Sequence, residues 1–438
     1  MKRLFVLLVV LSMFFGCSQQ PTASNSNEVL PSSENVLLDA VNDLGTANQR
    51  FAFNIYKEII NASETSENIV MSPLSISIVL SMLSNGADGN TKVQIKSALE
   101  LSNLTDKEIN SGFLEFINST NSPDQSITLE LANSIWTDDD FIPKEEFINI
   151  NKEYYEAEVQ SLDFSLETTL GIINGWVEKV THGKITDLIS EILPDEVMYL
   201  INAVYFKGNW KYPFDENETA NKWFYPEVGE RFGAITMWSA GRDFTYIYET
   251  DFIAARLPYC AYEMPASELG TKDSYMMGNN HKIAMYIFVP QGEMLLKDFV
   301  NGITQESWNL WLDSFLPIQE IMPYYYDTFK FEMPKFKIDF AIKLNAVLKS
   351  LGMVDAFLPS ADLSGITDIG GLFINIVKQK AFIDVNEKGS EAAAATYVGA
   401  TFGADPEFYA NRPFLYIIRD DRSGNILFMG QVYNPEYE

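Results

Sequence analysis

Hydrophobic residues follow helical spacing in the first part of the chain and form strand-like runs further on. In residues 44–62, apolar side chains recur at intervals of three and four, which predicts an amphipathic helix. Ser72 and Pro73 are typical of a helix start, because Ser caps free backbone amides and Pro suits the first helical position. A second helix is therefore predicted from Pro73 to near Gly86.

Longer apolar runs predict buried strands, mainly in the second half of the chain. The clearest run, residues 197–206, has one polar interruption, Asn202. Spaced leucines before Gly352 predict a further helix. No repeat or break in composition follows residue 45, so the pattern indicates one mixed α+β domain over residues 44–438. Other predicted strands cover residues 254–257, 283–290, 329–338, 381–385, 414–418 and 426–432, and residues 262–281 are predicted as a surface insertion.

Charge and composition exclude several classes of function. The 438 residues carry 60 acidic and 31 basic side chains, a formal net charge of −29. Basic clusters are missing from the sequence, which argues against nucleic-acid and heparin-like partners. The two histidines, His182 and His281, stand in no motif typical of Ser-His-Asp catalysis or zinc binding. We expect no catalytic residue, metal or cofactor, and a hydrolase would require one of these histidines to be essential.

The first 17 residues resemble a bacterial-type lipoprotein signal, in which two basic residues precede a short apolar stretch ending at Gly16-Cys17. We expect lipidation of Cys17 and an extracytoplasmic protein anchored to a membrane. The alternative is ordinary cleavage nearby, which would give a secreted or periplasmic protein. Residues 18–43 are predicted as a disordered tether. Lipidation of Cys17 would leave Cys260 without a disulfide partner.

The segment Glu387 to Thr396 is the most informative stretch of the sequence. It contains four consecutive alanines, and no proline follows before Pro406, so it is suited both to exposure and to pairing as a strand. A helical or surface alanine tract is the alternative. As a strand, the segment would place Ser390, alternate residues and Phe402 on one uncharged face, and Glu391 on the other face.

Seven motifs in order resemble those of the serpin family, over residues 44–438. The first reads Asn-Ile-Val-Met-Ser-Pro-Leu-Ser-Ile and the third reads Asn-Ala-Val-Tyr-Phe-Lys-Gly-Asn-Trp. The seven motifs occupy residues 68–76, 86–91, 202–210, 333–336, 362–365, 411–414 and 428–432.

The resemblance implies the serpin fold, an α+β fold with mixed sheets and an exposed reactive-centre loop, at about residues 387–410. It also implies a monomeric suicide-substrate inhibitor of proteases. A protease attacks the loop and forms an acyl ester, and the cleaved loop inserts into the main sheet and distorts the protease. A non-inhibitory serpin that acts as a binding or carrier protein is the alternative.

The reactive bond follows from two different alignments with family members. Counting from Glu387 places Gly403 before the cleaved bond, whereas counting back from Pro413 places Phe402 there, so the candidates are Phe402, Gly403 and Ala404. These residues imply serine proteases of chymotrypsin-, elastase- or subtilisin-like specificity, with cysteine proteases as a second class. The implied hinge consists of Glu387, Gly389, Ser390, Glu391, Ala392, Ala393, Ala394, Ala395 and Thr396.

Six further residues match positions where family members open the main sheet. Simple capping or core packing would also explain Ser72, Asn202 and Trp210. Gln379 stands where the family often has His, and it can exchange hydrogen bonds but cannot titrate. Lys335 corresponds to the partner of Glu387. The complete group is Ser72, Ser75, Asn202, Trp210, Lys335 and Gln379.

Overall fold

The computed structural model describes residues 33–63, 66–120, 127–193, 196–240, 244–259, 283–325, 329–389 and 407–437. Within these ranges, the strands are β1 (Ile69–Met71), β2 (Ile127–Asp138), β3 (Glu158–Leu162), β4 (Met198–Gly208), β5 (Ala220–Phe224), β6 (Phe232–Ser239), β7 (Thr245–Tyr248), β8 (Phe252–Pro258), β9 (Ile283–Pro290), β10 (Leu316–Pro317), β11 (Lys330–Pro334), β12 (Phe336–Lys343), β13 (Ile376–Val385), β14 (Glu407–Tyr409), β15 (Phe414–Asp420) and β16 (Ile426–Val432).

Helices occupy mainly the first half of the described chain. They are α1 (Ser33–Ala62), α2 (Pro73–Ser84), α3 (Gly89–Ala98), α4 (Asp106–Thr120), α5 (Glu145–Tyr155), α6 (Glu167–Val180), α7 (Leu296–Gly302), α8 (Gln305–Ser314), α9 (Ile318–Ile321) and α10 (Asn345–Ser350), with short 3₁₀ helices at Pro323–Tyr325 and Asp355–Phe357. Among the residues described, none of the helices combines the length and the hydropathy needed to cross a lipid bilayer.

The strands form three sheets. The largest has the order β1-β16-β15-β9-β8-β7-β10, and within it β9 and β16 are buried along their whole length. A four-stranded sheet has the order β14-β11-β6-β5. A five-stranded sheet has the order β12-β13-β4-β2-β3, and within it β4 runs parallel to β13 but antiparallel to β2. These helices and sheets confirm the predicted mixed α+β class.

The core lies between the largest sheet and the five-stranded sheet, and α2 runs through it. Every residue of α2 is buried, and the helix contacts β4, β2 and β16. A helix that is apolar on all sides is suited to such a position. The opposite face of the five-stranded sheet is covered by α6, where Ile173 and Val177 pack with Tyr199 and Ile201 of β4.

Most of the predicted elements are confirmed, but several boundaries differ. β13 begins at Ile376, five residues before the predicted start of that strand. The run predicted as one strand over residues 329–338 forms two strands, β11 and β12, which belong to different sheets and are separated by Lys335. Helix α1 begins at Ser33, so residues 33–43 are helical rather than part of the predicted tether. The alternation of apolar residues shifts by one position at Pro334-Lys335, which is a local signal of the break between the two strands, whereas the polar composition before residue 44 does not exclude a helix.

Candidate functional site

The boundary between β4 and β13, which we call the seam, is paired along only part of its length. The two strands form a parallel ladder in which residues 199–203 face residues 376–380. Both strands continue beyond this ladder, to Gly208 and Val385, while they remain paired with β2 and β12 on their outer sides. The seam is therefore open at the end where the chain leaves β13.

A tight turn at residues 386–389, which we call the hinge base, reverses the chain at this open end. The amides of Asn386 and Gly389 donate to each other's carbonyl oxygens, at 3.0 and 3.2 Å. Gly389 also forms an antiparallel bridge with Asn209, just beyond β4. Its φ is +128°, and a Cβ atom there would lie 2.1 Å from the carbonyl oxygen of Gly208. Both the backbone angle and the close approach therefore require glycine.

Trp210 holds the hinge base against the end of β4. Its indole nitrogen donates to the carbonyl oxygen of Asn386, and its backbone amide donates to that of Lys388, both at 2.9 Å. The indole is buried and stacks on Tyr259 with a centroid distance of 4.4 Å. Trp210 thus contributes both core packing and two specific contacts with the turn.

Glu387 and Lys335 are paired, at the position where β11 gives way to β12. Lys335 Nζ lies 3.0 Å from Glu387 Oε2, and Thr219 Oγ1 donates to Oε1 at 2.8 Å. Burial would raise the pKa of Glu387, but hydrogen bonds from its own backbone amide, Thr219 and Lys335 outweigh burial and hold the pKa below its usual value. The ammonium group of Lys335 also lies 4.0 Å from the centre of the Tyr437 ring.

A buried polar cluster lies in the paired part of the seam. The side-chain oxygen of Gln379 accepts from the amide of Ser72 at 3.1 Å, and its amide nitrogen donates to the carbonyl oxygen of Ser72 at 2.9 Å. Ser72 Oγ caps α2 by accepting from the amide of Ser75. Asn202, the ladder partner of Gln379, donates to Asn133 at 2.6 Å. The cluster ties the start of α2 to the middle of the seam.

Two buried side-chain oxygen atoms at this cluster do not form hydrogen bonds with the described residues. Asn202 Oδ1 and Ser75 Oγ have no hydrogen-bond partner within the described ranges. Such atoms are costly to bury, since a buried polar group normally finds a partner. The cluster can therefore accept an additional donor.

The structure brings the six predicted sheet-opening residues together in two groups, although they come from distant parts of the chain. Trp210 and Lys335 contact the hinge base, and the buried cluster in the paired part of the seam contains Ser72, Ser75, Asn202 and Gln379.

Three residues that were not predicted contact this site: Asn133 at Asn202, Asn386 at Trp210 and Thr219 at Glu387. Half of residues 127–138 are polar, so the sequence carried no specific signal for Asn133, and it carried none for Thr219. His182 lies exposed in the turn after α6, with φ +51°. The predicted residues outside the described ranges are Cys17, Cys260, His281, the insertion 262–281, the hinge residues 390–396 and the candidates Phe402, Gly403 and Ala404.

Comparisons with known proteins agree on one family. The family profile described as "Serpin (serine protease inhibitor)" matches residues 46–435. An uncharacterized serpin-like protein of the archaeon Methanosarcina acetivorans is 33% identical, over 100% of this chain and 99% of the relative.

Solved structures lead to the same family and include different functions. The native state of the thermophilic serpin tengpin is 29% identical, with a TM-score of 0.75, and the match covers 90% of this chain and 94% of tengpin. Human thyroxine-binding globulin, solved in complex with thyroxine, is 27% identical with a TM-score of 0.77, over 91% of this chain and 100% of the globulin. Family membership therefore leaves protease inhibition and ligand binding to be distinguished by the site.

Proposed function

This chain belongs to the serpin family, and from that premise we propose that it inhibits serine-type endopeptidases as a suicide substrate. The protease hydroxyl attacks the carbonyl carbon of the reactive bond, the peptide bond breaks, and the new amino terminus leaves with the C-terminal fragment. The loop then remains bound to the protease as an acyl ester. The chain itself supplies no catalytic residue and serves as the trap.

The observation that carries this proposal is the register at the hinge base. Gly389 is bridged to Asn209 on one side of the seam and to Asn386 on the other. Suppose that the loop continued from Gly389 as a strand antiparallel to both β4 and β13. Thr396 comes seven residues after Gly389, so it would face the residues seven positions before Asn209 and Asn386. These residues are Asn202 and Gln379. Asn202 and Gln379 are already partners across the seam. The two registers agree, so the loop can enter without any slip of β4 against β13.

The same register separates the loop into a buried face and an outer face. Residues on the Thr396 face would align with the core-facing side chains Val204 and Ala381, and this face of the loop is uncharged. Glu391 would lie on the outer face, opposite Lys207 and Asp384. The Thr396 hydroxyl would reach the cluster in which Asn202 Oδ1 has no partner within the described ranges. The predicted alternation of the loop therefore fits the seam.

Insertion would also improve the hydrogen bonding of the sheet. The seam joins two parallel strands with a ladder of five residue pairs. A new strand between them would be antiparallel to both, and antiparallel pairing is slightly more stable per residue than parallel pairing. The cleaved form is therefore expected to be more stable than the intact form.

The reactive bond and the anchor complete the proposal. Cleavage near Phe402, Gly403 or Ala404 suits chymotrypsin-, elastase- and subtilisin-like proteases, and no Arg or Lys lies between Ser390 and Asn411. We further propose that the protein is a monomer, lipidated at Cys17 and held to the outer side of a membrane. The Cys17→Ser variant should leave the membrane fraction, and its retention there would contradict the anchor.

The inhibitor and a carrier are distinguished by incubating the full chain with chymotrypsin, pancreatic elastase and subtilisin. Inhibition predicts a covalent band at the summed mass and a released C-terminal fragment whose first residue identifies the reactive bond. The cleaved protein should melt at a higher temperature than the intact protein. Cleavage without a covalent band by all three proteases would favour a binding protein like the thyroxine-binding relative.

Two adjacent substitutions form a matched control for the register. Ala394→Glu would place a charge on the core face, opposite Val204 and Ala381, where an unpaired charge costs several kcal/mol. Ala395→Glu would place the same charge on the outer face, opposite Lys380. We expect the first variant to be cleaved as a substrate and the second to remain an inhibitor. Equal behaviour of the two variants would contradict the register.

A further inference from the structure

A cavity of about 210 Å³ lies on the α6-facing side of the seam. Both strands of the seam line it, Tyr199 and Ile201 from β4 and Ile376 and Lys378 from β13. The segment before β4 lines its other side through residues that include Leu193 and Glu196, and it leaves the cavity partly open to solvent. The cavity therefore spans the line along which a new strand would enter the sheet.

We propose that this cavity is the receiving site for the side chain of Tyr397 when the loop inserts. The assignment rests on the proposed inhibitory function and adds a specific residue and a specific site to it. Tyr397 is eight residues after Gly389, and the residues eight before Asn209 and Asn386 are Ile201 and Lys378. Ile201 and Lys378 are ladder partners, and both line the cavity.

The length of the loop matches the distance to the cavity. An extended chain advances about 3.3 Å per residue, so the eight residues from Gly389 to Tyr397 span about 26 Å. The eight residues from Asn209 back to Ile201 along β4 span the same distance. The side chains of directly opposed residues in a ladder point to the same face. Since Ile201 packs with the α6-facing cluster, a residue opposite Ile201 would point toward α6 and into the cavity.

The size and the walls of the cavity suit a phenol ring. An apolar cavity of about 150 Å³ is large enough to bind benzene, so 210 Å³ accommodates the ring of tyrosine. Ala395 and Gly399 flank Tyr397 on the same face of the loop, and neither would compete for the space. Between Ser390 and Gly399, Tyr397 is the one aromatic residue. The ring would replace empty space over the seam with packed contacts.

Polar groups at the cavity fit the hydroxyl of Tyr397. Lys378 lies at the position facing Tyr397, and its ammonium group can donate to the phenol oxygen. Glu196 accepts from the hydroxyl of Tyr199 and from the amide of Leu193, the latter at 2.8 Å. Glu196 is therefore already held in place, and the ring of Tyr397 is expected to contribute more than its hydroxyl.

The position of Tyr397 in the loop indicates that it acts during insertion of the loop and not during cleavage of the reactive bond. Residues 390–396 would enter the seam before it, so Tyr397 would reach the cavity late in insertion. Loss of the ring should leave the first cleavage step unchanged but slow completion of the strand. A slower insertion gives water more time to hydrolyse the acyl ester, so more inhibitor is consumed as substrate.

The test compares full-length wild type, Tyr397→Phe and Tyr397→Ala, each before and after cleavage by the same protease. We expect Tyr397→Ala to show a smaller rise in melting temperature on cleavage and to need at least twofold more inhibitor per protease trapped. Tyr397→Phe should behave nearly as wild type. If Tyr397→Ala matches wild type in both measurements, the cavity assignment is overturned. If wild type itself forms no covalent complex and gains no stability on cleavage, the proposed function fails as well.

A second pair of variants tests the cavity without changing the loop. Leu193 and Leu166 are exposed by 44% and 52%, but only Leu193 lines the cavity. Leu193→Trp should fill the cavity and reproduce the losses of Tyr397→Ala, whereas Leu166→Trp should leave both measurements unchanged. Equal behaviour of the two tryptophan variants would contradict the receiving site.

Discussion

Reversing the charge of Glu387 should release the hinge base and promote polymer formation on heating. Glu387 is 5% exposed, and its carboxylate receives hydrogen bonds from Thr219 and Lys335. Removing one partner of a buried ion pair costs about 3–5 kcal/mol, and we take the lower value because Lys335 keeps some contact with solvent. In Glu387→Lys, two ammonium groups about 4 Å apart would also repel by about 4 kcal/mol at an effective dielectric constant of about 20.

The sum, about 7 kcal/mol before the new side chain relaxes toward solvent, is comparable with the whole stability of many domains. Glu387→Gln should cost far less, about 1–2 kcal/mol, because a neutral amide oxygen can still accept from Thr219 and Lys335. The two variants therefore predict a graded series. Native gels and size-exclusion chromatography after mild heating measure polymers, and residual inhibition measures the active fraction.

Glu216→Lys is the matched control, because Glu216 pairs with Lys388 of the same turn at 2.8 Å but is 43% exposed. Such exposed pairs contribute about 0–1 kcal/mol, so this variant should remain monomeric. If Glu387→Lys stays monomeric and fully inhibitory after heating, the pairing does not hold the hinge base. If Glu216→Lys polymerises equally, the effect comes from net charge in the turn rather than from the buried pair.

The titration of Glu387 gives the same hypothesis a pH dependence. The pKa of Glu387 is lowered in the folded protein, so its contribution is present above the ordinary glutamate pKa of about 4.3 and is lost as pH falls through the folded value. The difference in stability between wild type and Glu387→Gln should therefore stay constant from pH 7 to 5 and shrink below about pH 4. A constant difference down to pH 3 would contradict this role.

Three other substitutions test separate parts of the structure. Gly389→Ala should destabilise the hinge base, because φ is +128° and the Cβ atom would clash with the carbonyl oxygen of Gly208. The variant should have a lower melting temperature than wild type, and an unchanged melting temperature would refute the turn geometry. Gln379→Ala should lower the free energy of unfolding, measured in urea, by about 2–4 kcal/mol, because the amide and carbonyl groups of Ser72 lose their buried partner. Since Gln379 does not titrate, this difference should not vary between pH 5 and 8. Asp421→Ala should cost about 3–5 kcal/mol, because the buried guanidinium of Arg256 lies 2.6 Å from Asp421 and would lose this partner. A change below about 1 kcal/mol would show that the pair is dispensable.

Hydrophobic patterning was sufficient for the buried strands but not for their assignment to sheets. β9 and β16 have the predicted limits, because each is an apolar run bounded by polar or turn residues. Over residues 329–338 the alternation shifts by one position at Pro334-Lys335, which indicates a break, but nothing in the pattern indicates that the chain leaves the four-stranded sheet there and joins the five-stranded one. Membership in a sheet depends on partners far along the chain, and the period of a strand does not encode them.

The candidate site could be predicted as residues but not as contacts. Asn202 was visible as a polar residue in an apolar run, and the family resemblance assigned Gln379 and Lys335 to the same region. The double hydrogen bond between Gln379 and Ser72 joins residues 307 positions apart, which local patterns cannot reveal. The agreement between the two registers at Gly389 and the cavity beside Tyr199 likewise depend on how distant segments of the chain pack together.

The order of strands in the largest sheet has a consequence for synthesis of the chain. β15 and β16 lie between β1 and β9, yet they are translated after every other strand that the structure describes. At about 5–20 residues per second, β1 waits many seconds on the ribosome before its neighbour β16 exists. Until residue 432 has been translated, the facing edges of β1 and β9 have no permanent partner and must be kept from pairing with other nascent chains. Folding of this sheet is therefore tied to the end of translation, and a stop codon before β15 would remove the two strands that join β1 to β9.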